Sequence, residues 1–294
     1  MNNDKIKMTV IGGDIRMLIT AKELAKRGFD TAVFGFDTCF SDCGGAVKYD
    51  SLSDAVKGAS AVILPVPYST DGCRINCPFC KTEIRADEVL NAVSPGKLLF
   101  AGVCTPSFFA KAEEKNITLI DYMKDEELTV RNAVPTAEGA LEVAMRELSV
   151  TVRGSDVLIL GYGRTGRLTA AAFSALGANV TICARRGDAL AWAEAYGHKT
   201  AHTDAICRAV KGKNLIINTV PELILDRNVL CCTDSGVIII DLSSMPGGVD
   251  DDFASANGIK VIHALSLPGK TAPVTAGKNI ADAVVRILKR RSVL

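Results

Sequence analysis

The stretch that decides the fold is residues 157–166, which read VLILGYGRTG. Its apolar first half predicts a buried strand, and the G-x-G-x-x-G pattern that follows is typical of a dinucleotide-binding turn before a helix. In that pattern Gly161 permits the tight turn, Gly163 lets the backbone approach a pyrophosphate, and Gly166 lets the helix pack closely on the strand. Free N–H groups at the start of the helix would bind the phosphates. The stretch therefore predicts a Rossmann unit.

The end of the next predicted strand indicates which cofactor binds. An NAD site usually has a carboxylate there, which bonds the ribose 2′-hydroxyl. This strand instead runs into Ala184, Arg185 and Arg186, and guanidinium groups attract a 2′-phosphate. We therefore expect NADP, with NAD as the alternative if both arginines are only solvated loop charges. The expected cofactor-binding residues are Gly161, Tyr162, Gly163, Arg164, Thr165, Gly166, Ala184, Arg185, Arg186, Thr219, Val220, Pro221 and Ser243.

Outward from this unit, short apolar runs alternate with amphipathic helical stretches along the chain. Continuous apolar strands between helices indicate parallel sheets covered on both faces. We expect an α/β fold with two doubly wound, Rossmann-like domains. The first, residues 1–135, would be a substrate or catalytic domain, and the second, residues 136–275, the NAD(P)-binding domain. Strands are expected at residues 7–11, 31–34, 61–64, 98–100, 117–120, 156–160, 179–183, 214–217, 236–240 and 260–262.

Two helices should connect these domains. Pro135 disfavours helical backbone at Val134, and Thr136 is a suitable N-cap. We therefore expect a long connecting helix to begin at Thr136, with Glu138 in its first turn. The last helix, within residues 276–294, should cross back to the first domain. Residues 267–270, LPGK, are expected to form a loop at a strand end.

Composition excludes several classes of protein. The 294 residues suggest two domains at roughly 150 residues each. A net charge of +1 gives no global field for nucleic acid or anionic lipid, and 48% hydrophobic residues fit a soluble globular chain. We see no signal peptide at the N-terminus and no apolar run near the ~20 residues of a membrane span. We thus expect a cytoplasmic protein whose ten cysteines are mostly thiols.

Cys73, Cys77 and Cys80 have C-x₃-C-x₂-C spacing, which is similar to the cluster loop of radical enzymes that cleave S-adenosylmethionine. Three such thiolates can bind an iron–sulfur cluster, or zinc with a fourth ligand. This domain is too small for the usual barrel of those enzymes. We therefore favour a loop of reduced thiols and predict no metal site, with an iron–sulfur protein as the alternative.

The histidines offer little metal chemistry. His198 and His202 are predicted to lie on a strand, where four residues span roughly 13 Å, too far for one ion. His263 ends a strand and could act as a proton shuttle or as an ordinary hydrogen-bonded loop histidine.

The first domain has a weaker glycine turn. Asp14 follows its two glycines and would repel phosphate, and Met17 stands where a third glycine belongs. We expect Asp14 and Arg16 to face the interdomain cleft on the substrate side. The alternative is a capping Asp14 and a surface Arg16.

Five segments together resemble one family. They are IGGD at 11–14, NAVPTAEG at 132–139, GYGRTG at 161–166, DLSSMPGG at 241–248 and LSLPGKTAP at 265–273. In this order the chain resembles the family of dipicolinate synthase A subunits of spore-forming bacteria over nearly its whole length. The resemblance implies oxidation of dihydrodipicolinate to dipicolinate with a nicotinamide cofactor during sporulation, in the mother cell. It also implies a partner, the flavoprotein-like B subunit of dipicolinate synthase, within a homodimer or a hetero-oligomer.

The implied reaction sets the chemistry to look for. A dihydropyridine loses a hydride and a proton, so the protein must mainly position the ring against nicotinamide and bind two carboxylates. Glu138, Asp14 and His263 are alternative proton acceptors. Carboxylate-binding groups are sought among Arg16, Thr105, Ser107, Arg131, Asn132, Ser243 and Lys270. The expected catalytic residues are Glu138, Asn132, Asp14, Arg16, His263 and Ser107.

Two other interpretations of the function stay open. A dehydrogenase of the 2-hydroxy-acid type would suit the two-domain layout, but such enzymes usually use a histidine paired with an acid, and no such pair is evident in the sequence. A regulatory or scaffolding protein could bind nucleotide while its partner does the chemistry.

Overall fold

The computed structural model describes residues 6–39, 42–244 and 246–292. The chain forms two compact units, each with its own sheet and apolar core. Unit 1 comprises Met1–Arg131 with Ala272–Leu294, and unit 2 comprises Asn132–Thr271. Across the described ranges, no helix is long and apolar enough to cross a membrane.

Unit 1 contains a sheet covered by helices on both faces. Its strands are β1 (Lys7–Ile11), β2 (Asp30–Phe34), β3 (Val47–Lys48), β4 (Ala61–Ile63), β5 (Leu98–Ala101) and β6 (Thr118–Asp121). Its helices are α1 (Ile15–Lys26), α2 (Leu52–Val56), α3 (Ala86–Ala92), α4 (Pro106–Glu114) and the C-terminal α12 (Pro273–Arg290).

Unit 2 repeats this plan. A long helix, α5 (Glu126–Glu147), begins in unit 1 and ends in unit 2. The strands are β7 (Asp156–Leu160), β8 (Asn179–Ala184), β9 (Lys199–His202), β10 (Leu215–Asn218), β11 (Ile238–Asp241) and β12 (Lys260–His263). The other helices are α6 (Arg164–Ala175), α7 (Gly187–Ala195), α8 (Ile206–Ala209), α9 (Arg227–Leu230), α10 (Asp251–Ala256) and α11 (Leu267–Thr271).

Both sheets, as described, are six-stranded and parallel throughout, with the same topology. The orders are β3-β2-β1-β4-β5-β6 and β12-β11-β10-β7-β8-β9. Each is the doubly wound Rossmann order, in which the direction of winding reverses beside the first strand of the unit. A ligand crevice is therefore expected at the carboxyl ends of β1 and β4, and of β7 and β10. The predicted fold class is confirmed.

The C-terminal helix belongs to the core of unit 1, as predicted. Ile280, Val284 and Leu288 of α12 are fully buried and pack in one cluster with Met17 and Leu24 of α1. The two helices approach closely: a Cβ built on Gly277 would lie 2.6 Å from the Arg16 carbonyl oxygen. Glycine is therefore required at this helix crossing.

The prediction that a helix starts at Thr136 is wrong. Helix α5 already begins at Glu126 and continues through Pro135. Proline removes one helical hydrogen bond and its ring crowds the preceding turn. At the next position, the Thr136 hydroxyl donates to the Asn132 carbonyl over 2.8 Å. An apolar stripe at helical spacing, of which Ala133 and Ala140 are buried members, offsets the proline penalty. Glu138 therefore lies in the middle of a helix, not in its first turn.

The loop predicted at residues 267–270 is also wrong, because these residues form α11. Leu267 is 5% exposed and packs into the core of unit 2. Gly139 of α5 makes room for it, since a Cβ there would lie 3.0 Å from the Leu267 Cβ. Burial of one leucine thus outweighs the turn tendency of the Pro-Gly pair that follows it.

Candidate nucleotide site

Unit 2 holds a cavity of about 420 Å³ at the carboxyl ends of β7, β8 and β10. This is the edge where the strand order reverses, so its position is that of a ligand crevice in an open α/β sheet. Its volume lies within the range of small-molecule sites. The lining residues are Gly161, Tyr162, Gly163, Cys183, Ala184, Arg185, Arg186, Ala189, Thr203, Val220, Glu222, Leu223 and Ile224.

The three glycines of the turn have separate physical roles. Gly161 has φ +90°, a left-handed conformation that favours glycine, and its Cβ would lie 2.6 Å from the Thr219 hydroxyl. A Cβ on Gly166 would lie 2.3 Å from the Gly161 carbonyl oxygen, so this glycine lets α6 pack against the turn. A Cβ on Gly163 would meet nothing within 4 Å. Gly163 therefore leaves open space in front of the backbone, where a pyrophosphate would fit.

The start of α6 supplies donors beside that space. Gly163 is the N-cap of α6 and offers no side-chain cap, and Arg164 and Thr165 form the first turn. The first N–H groups of a helix have no partner inside it. They carry the positive end of the helix dipole, so this end of the cavity suits an anion.

The end of β8 carries the two arginines. Ala184 is buried, whereas Arg185 and Arg186 are exposed. The Arg186 guanidinium pairs with Asp188 at 3.1 Å. The Arg185 guanidinium has no hydrogen-bond or ion-pair partner among the described residues, while its carbonyl accepts a 2.9 Å hydrogen bond from His202 Nε2. The backbone of Arg185 is therefore held in place, while its guanidinium group is free to bind a ligand.

A hydrogen-bonded pair behind the cavity holds two strand-end loops. The Asp241 carboxylate is fully buried and accepts hydrogen bonds from the Asn218 amide and from the N–H groups of Ser243 and Gly248, each at 2.9 Å. Asn218 in turn bonds both backbone groups of Val220, at 2.9 and 3.0 Å. The pair therefore links the cavity wall at Val220 to the loop after β11. Within that loop Met245 lies outside the described residues.

Other predicted cofactor residues border the same edge. Thr219 donates from its hydroxyl to the Leu160 carbonyl over 2.8 Å, which joins β10 to β7. The Ser243 side chain is buried, 3.5 Å from the Asn218 amide. Pro221 is exposed and precedes the lining residues Glu222 and Leu223.

Two side chains that line the cavity, Cys183 and Tyr162, stay protonated at neutral pH. Burial raises the pKa of the Cys183 thiol to about 11 and raises the pKa of the Tyr162 hydroxyl. Arg167 lies over the Tyr162 ring, 5.4 Å from its centroid. Because neither group ionises near neutral pH, Cys183 and Tyr162 contribute to the shape of the cavity and do not serve as acid or base.

His263 forms the histidine–acid pair that the sequence did not reveal. Its Nε2 lies 2.8 Å from Asp251 Oδ1, and its Nδ1 lies 3.8 Å from Asp241 Oδ2. The pairing arises because β12 ends next to β11 while α10 begins above the same edge. His263 is thus oriented by a hydrogen bond with Asp251, and the Asp241 carboxylate lies near its other ring nitrogen.

In unit 1, Asp14 and Arg16 bind each other. The Asp14 carboxylate caps α1 through the Arg16 N–H at 3.0 Å and pairs with Arg16 Nη2 at 2.7 Å. The guanidinium also donates to the Val66 carbonyl at 2.9 Å, and Arg16 is 6% exposed. The alternative of a capping Asp14 is confirmed, whereas the surface position for Arg16 is wrong because the ion pair and the carbonyl satisfy it in a buried place.

Hydroxyl groups converge at the start of α4. Thr105 is the N-cap of α4, its hydroxyl lies 3.0 Å from the Ser107 hydroxyl, and Tyr68 OH lies 3.1 Å from Thr105. The predicted helix start at this point is confirmed. Burial raises the pKa of Tyr68, so at neutral pH the cluster presents only neutral donors.

The remaining candidates are dispersed. Glu138 is exposed on α5, and its carboxylate has no hydrogen-bond or ion-pair partner in the described part of the chain. Asn132 is buried, and its Oδ1 lacks a hydrogen-bond partner among described residues. Arg131 pairs with Glu127 at 3.0 Å, and Lys270 lies on α11.

The glycine turn of unit 1 is covered by the chain itself. Residues 73–86 return over it as a loop closed by an antiparallel bridge between Arg74 and Arg85. The Asn76 carbonyl accepts from Gly13 N–H at 2.8 Å, and a Cβ on Gly12 would lie 3.1 Å from Cys77 Sγ. The backbone groups that would bind a phosphate are therefore already used.

The described residues contain no group of three or more His, Cys, Asp or Glu side chains placed to hold a metal ion. His198 and His202 have different partners, Ser174 at 3.4 Å and Asp204 at 3.1 Å.

Sequence reasoning missed four residues in the wall of the nucleotide cavity. Leu223 and Ile224 follow Pro221 without a regular pattern, and Ala189 and Thr203 come from α7 and the turn after β9. They meet only because four strand ends converge. A signal existed for the Asn218–Asp241 pair, since each is a polar residue that ends an otherwise apolar strand.

Comparison with known proteins gives two family matches. The family model for the N-terminal domain of the dipicolinate synthase A subunit matches residues 7–123. The family model for the alanine dehydrogenase/PNT C-terminal domain matches residues 132–292.

Individual relatives agree with these matches. The A subunit of dipicolinate synthase from Bacillus subtilis (strain 168) is 33% identical over 284 residues, which is 96% of both chains. The crystal structure of the corresponding A subunit from Bacillus halodurans superposes with a TM-score of 0.89 at 30% identity, covering 96% of this chain and 97% of that one. Transhydrogenase from Sinorhizobium meliloti, at 16% identity and a TM-score of 0.72, covers 96% and 94% and shares the fold.

Proposed function

The chain belongs to the family of dipicolinate synthase A subunits, and from that premise we propose that it oxidises dihydrodipicolinate to dipicolinate with NADP. It would act with the flavoprotein-like B subunit of that synthase, in a homodimer or hetero-oligomer in the cytoplasm of the sporulating mother cell. The observation that carries the proposal is the cavity at the carboxyl ends of β7, β8 and β10, with the open backbone at Gly163 beside the start of α6.

The choice of NADP over NAD rests on the end of β8. No carboxylate stands there to bond a ribose 2′-hydroxyl. The Arg185 guanidinium, which has no partner among the described residues, offers a charge-assisted bond to a 2′-phosphate. Arg186 is a weaker candidate because it pairs with Asp188. Glu222 lines the cavity too, but it follows β10 rather than β8.

The chain's own residues would bind and orient the reactants. When bound, the nicotinamide ring supplies the hydride acceptor. Val220, held by Asn218 and Asp241, would set the depth of that ring. The hydroxyls of Thr105 and Ser107 suit a substrate carboxylate because they are neutral donors near a helix start. Arg16 offers less, since Asp14 already neutralises it.

Glu138 is our preferred proton acceptor. Asp14 is committed to Arg16, and His263 to Asp251, whereas the Glu138 carboxylate has no partner in the described part of the chain. A free carboxylate can take the ring proton directly, while Asp14 would first have to break an ion pair.

One observation favours a second candidate function. The 2.8 Å pair between His263 and Asp251 is the arrangement that a 2-hydroxy-acid dehydrogenase uses, in which an acid orients a proton-transferring histidine. On this alternative the substrate would be a 2-hydroxy or 2-oxo acid. Screening such acids with either cofactor tests it.

The deciding experiment follows NADP reduction at the absorbance of NADPH, with dihydrodipicolinate generated in situ. The wild-type chain is assayed alone and with the B subunit, and compared with Arg185→Asp/Arg186→Ser. We expect pyridine-dicarboxylate to form and the KM for NADP to rise about tenfold or more in the variant, because a charge-assisted bond is worth about 1.5–3 kcal/mol. The KM for NAD should change little.

The control is Arg153→Ala, which removes an exposed arginine just before β7, at the opposite edge of the sheet. Its kinetics should match the wild type. If neither NADP nor NAD is reduced even with the B subunit present, although NADPH binds, the chain is instead a nucleotide-binding scaffold.

A further inference from the structure

We infer that Cys77 and Cys80 form a redox modification site, at which a small-molecule disulfide converts the two thiols to an intramolecular disulfide. The inference concerns the loop over the glycine turn of unit 1 and does not depend on the proposed function. Both cysteines are free thiols in this structure.

The backbone brings the two cysteines together. Residues 77–80 read CPFC, and the Cys80 N–H donates to the Cys77 carbonyl over 3.2 Å. This hydrogen bond closes a β-turn, whose end Cα atoms lie within about 7 Å. A disulfide needs Cα atoms about 4.4–6.8 Å apart. The turn therefore meets the main geometric condition with little backbone movement.

Neighbouring segments hold the turn in place. The Phe79 carbonyl accepts from Thr38 N–H at 2.9 Å, and Lys81 N–H donates to the Asp37 carboxylate at 2.9 Å. On the other side, the Asn76 carbonyl accepts from Gly13. Because the ends of the turn are fixed before any reaction, the second thiol has a high effective concentration at the first.

The two thiols differ in their surroundings, which sets the order of reaction. Cys77 Sγ packs against Gly12 and Gly35 and donates to the Gly35 carbonyl at 3.0 Å. Burial, with the adjoining Cys80 thiol, raises the pKa of Cys77 to about 12. Cys80 Sγ instead lies 3.9 Å from the hydroxyl of the exposed Thr82. Cys80 is thus the thiol that reacts first with an external disulfide.

A reagent can reach the pair. An open groove of about 340 Å³ is lined by both cysteines and by Pro78 and Lys81. The Lys81 ammonium is exposed, so the groove suits a disulfide that carries carboxylates, such as oxidised glutathione.

The reaction balances as two thiol–disulfide exchanges. The Cys80 thiolate attacks one sulfur of the small disulfide, forming a mixed disulfide and releasing one small thiolate. The Cys77 sulfur then attacks Cys80, loses its proton to solvent, and releases the second small thiolate. Overall the protein loses two hydrogens and the reagent is reduced to two thiols. The Cys77 hydrogen bond to Gly35 is lost in the product.

The test uses the reduced full-length chain, incubated with oxidised glutathione, alkylated and digested with trypsin. Cleavage after Arg74 and Lys81 gives a peptide of residues 75–81 whose only cysteines are this pair. We expect this peptide to lose both alkyl groups and to weigh two hydrogens less than its reduced form. Cys231, which is exposed, serves as the reference thiol.

The inference is wrong if the peptide stays fully alkylated when Cys231 already carries glutathione, or if Cys77 or Cys80 instead becomes linked to Cys73. Two variants test the order. Cys77→Ser should hold glutathione stably on Cys80, and Cys80→Ser should leave Cys77 unmodified. Glutathione on Cys77 in the second variant would overturn the assignment. The wild-type peptide decides the main point even if a variant misfolds.

Discussion

Gly163 and Gly166 stand three residues apart in one turn. The space around each glycine predicts that alanine at Gly166 lowers stability, whereas alanine at Gly163 lowers NADPH affinity. For Gly166→Ala, a better helix propensity is worth about 1 kcal/mol. The new Cβ, however, would lie 2.3 Å from a backbone oxygen that cannot move away. The cost of overpacking, about 1–3 kcal/mol or more, outweighs the gain in helix propensity. The urea midpoint followed by Trp192 fluorescence should therefore fall.

Gly163→Ala is the matched variant. Its Cβ meets nothing and its backbone, at φ −79°, accepts alanine, so stability should change by less than about 1 kcal/mol. The methyl group would occupy the open space at the start of α6, and NADPH affinity should fall about tenfold or more in a fluorescence titration. Equal loss of stability in both variants would contradict this division of roles.

Single residues also mark the limit of prediction from sequence. The glycine fingerprint fixes its own geometry because every contact of Gly161 and Gly166 lies in the turn or in the adjacent strand end. The sequence does not show that the Arg185 guanidinium is unpaired, because this depends on Asp188 forming its ion pair with Arg186 and not with Arg185. The pairing of His263 with Asp251 depends on two elements that only the folded sheet brings together.

At the scale of elements, Asp125 should make the stability of α5 depend on pH. Burial acts to raise the pKa of this carboxyl, but hydrogen bonds from Arg286 and from Leu128 N–H outweigh it, and the net pKa is lowered. A carboxyl with a depressed folded-state pKa adds stability above its ordinary pKa of about 4, and that stability is lost as pH falls through the folded-state value.

Asp125→Asn should therefore be less stable than wild type at neutral pH, and the gap in urea midpoint should close in acid. Asp30→Asn, at an exposed position at the start of β2, is the control and should show no such gap. If the difference in urea midpoint persists unchanged well below pH 4, the charge of Asp125 does not contribute to stability.

Elements show where local rules fail. Apolar periodicity located the long strands well, and strand β7 matches its prediction residue for residue. Proline rules failed at Pro135, because a buried apolar stripe continues on both sides of it. The prediction of a loop at residues 267–270 failed for a similar reason. Leu267 is buried against Gly139, which lies 128 positions earlier in the chain. The two-residue strand β3 is too short for any periodic signal.

For the whole molecule, two units with separate cores should respond separately to a ligand of unit 2. The chain has one tryptophan, Trp192, which lies in unit 2, so its fluorescence reports that unit while circular dichroism reports both. Saturating NADP+ at about 100 times its Kd should stabilise the fluorescence transition by about 2.7 kcal/mol.

Leu288→Ala provides the opposite case. This fully buried leucine of α12 belongs to unit 1, and its truncation should cost about 2–5 kcal/mol. The loss should appear in circular dichroism and leave the fluorescence midpoint in place. If the fluorescence midpoint falls along with the circular dichroism transition in Leu288→Ala, or if NADP+ shifts the whole circular dichroism transition by as much as the fluorescence transition, the units unfold as one.

The return of α12 to unit 1 has a consequence for synthesis on the ribosome. All of unit 2 emerges before residues 272–294, so it can complete its fold while unit 1 still lacks a helix that covers Met17 and Leu24. The nascent N-terminal unit therefore exposes an apolar stripe on α1 throughout translation of the next 140 residues. Such a stripe is a target for chaperones until residues 272–294 leave the exit tunnel.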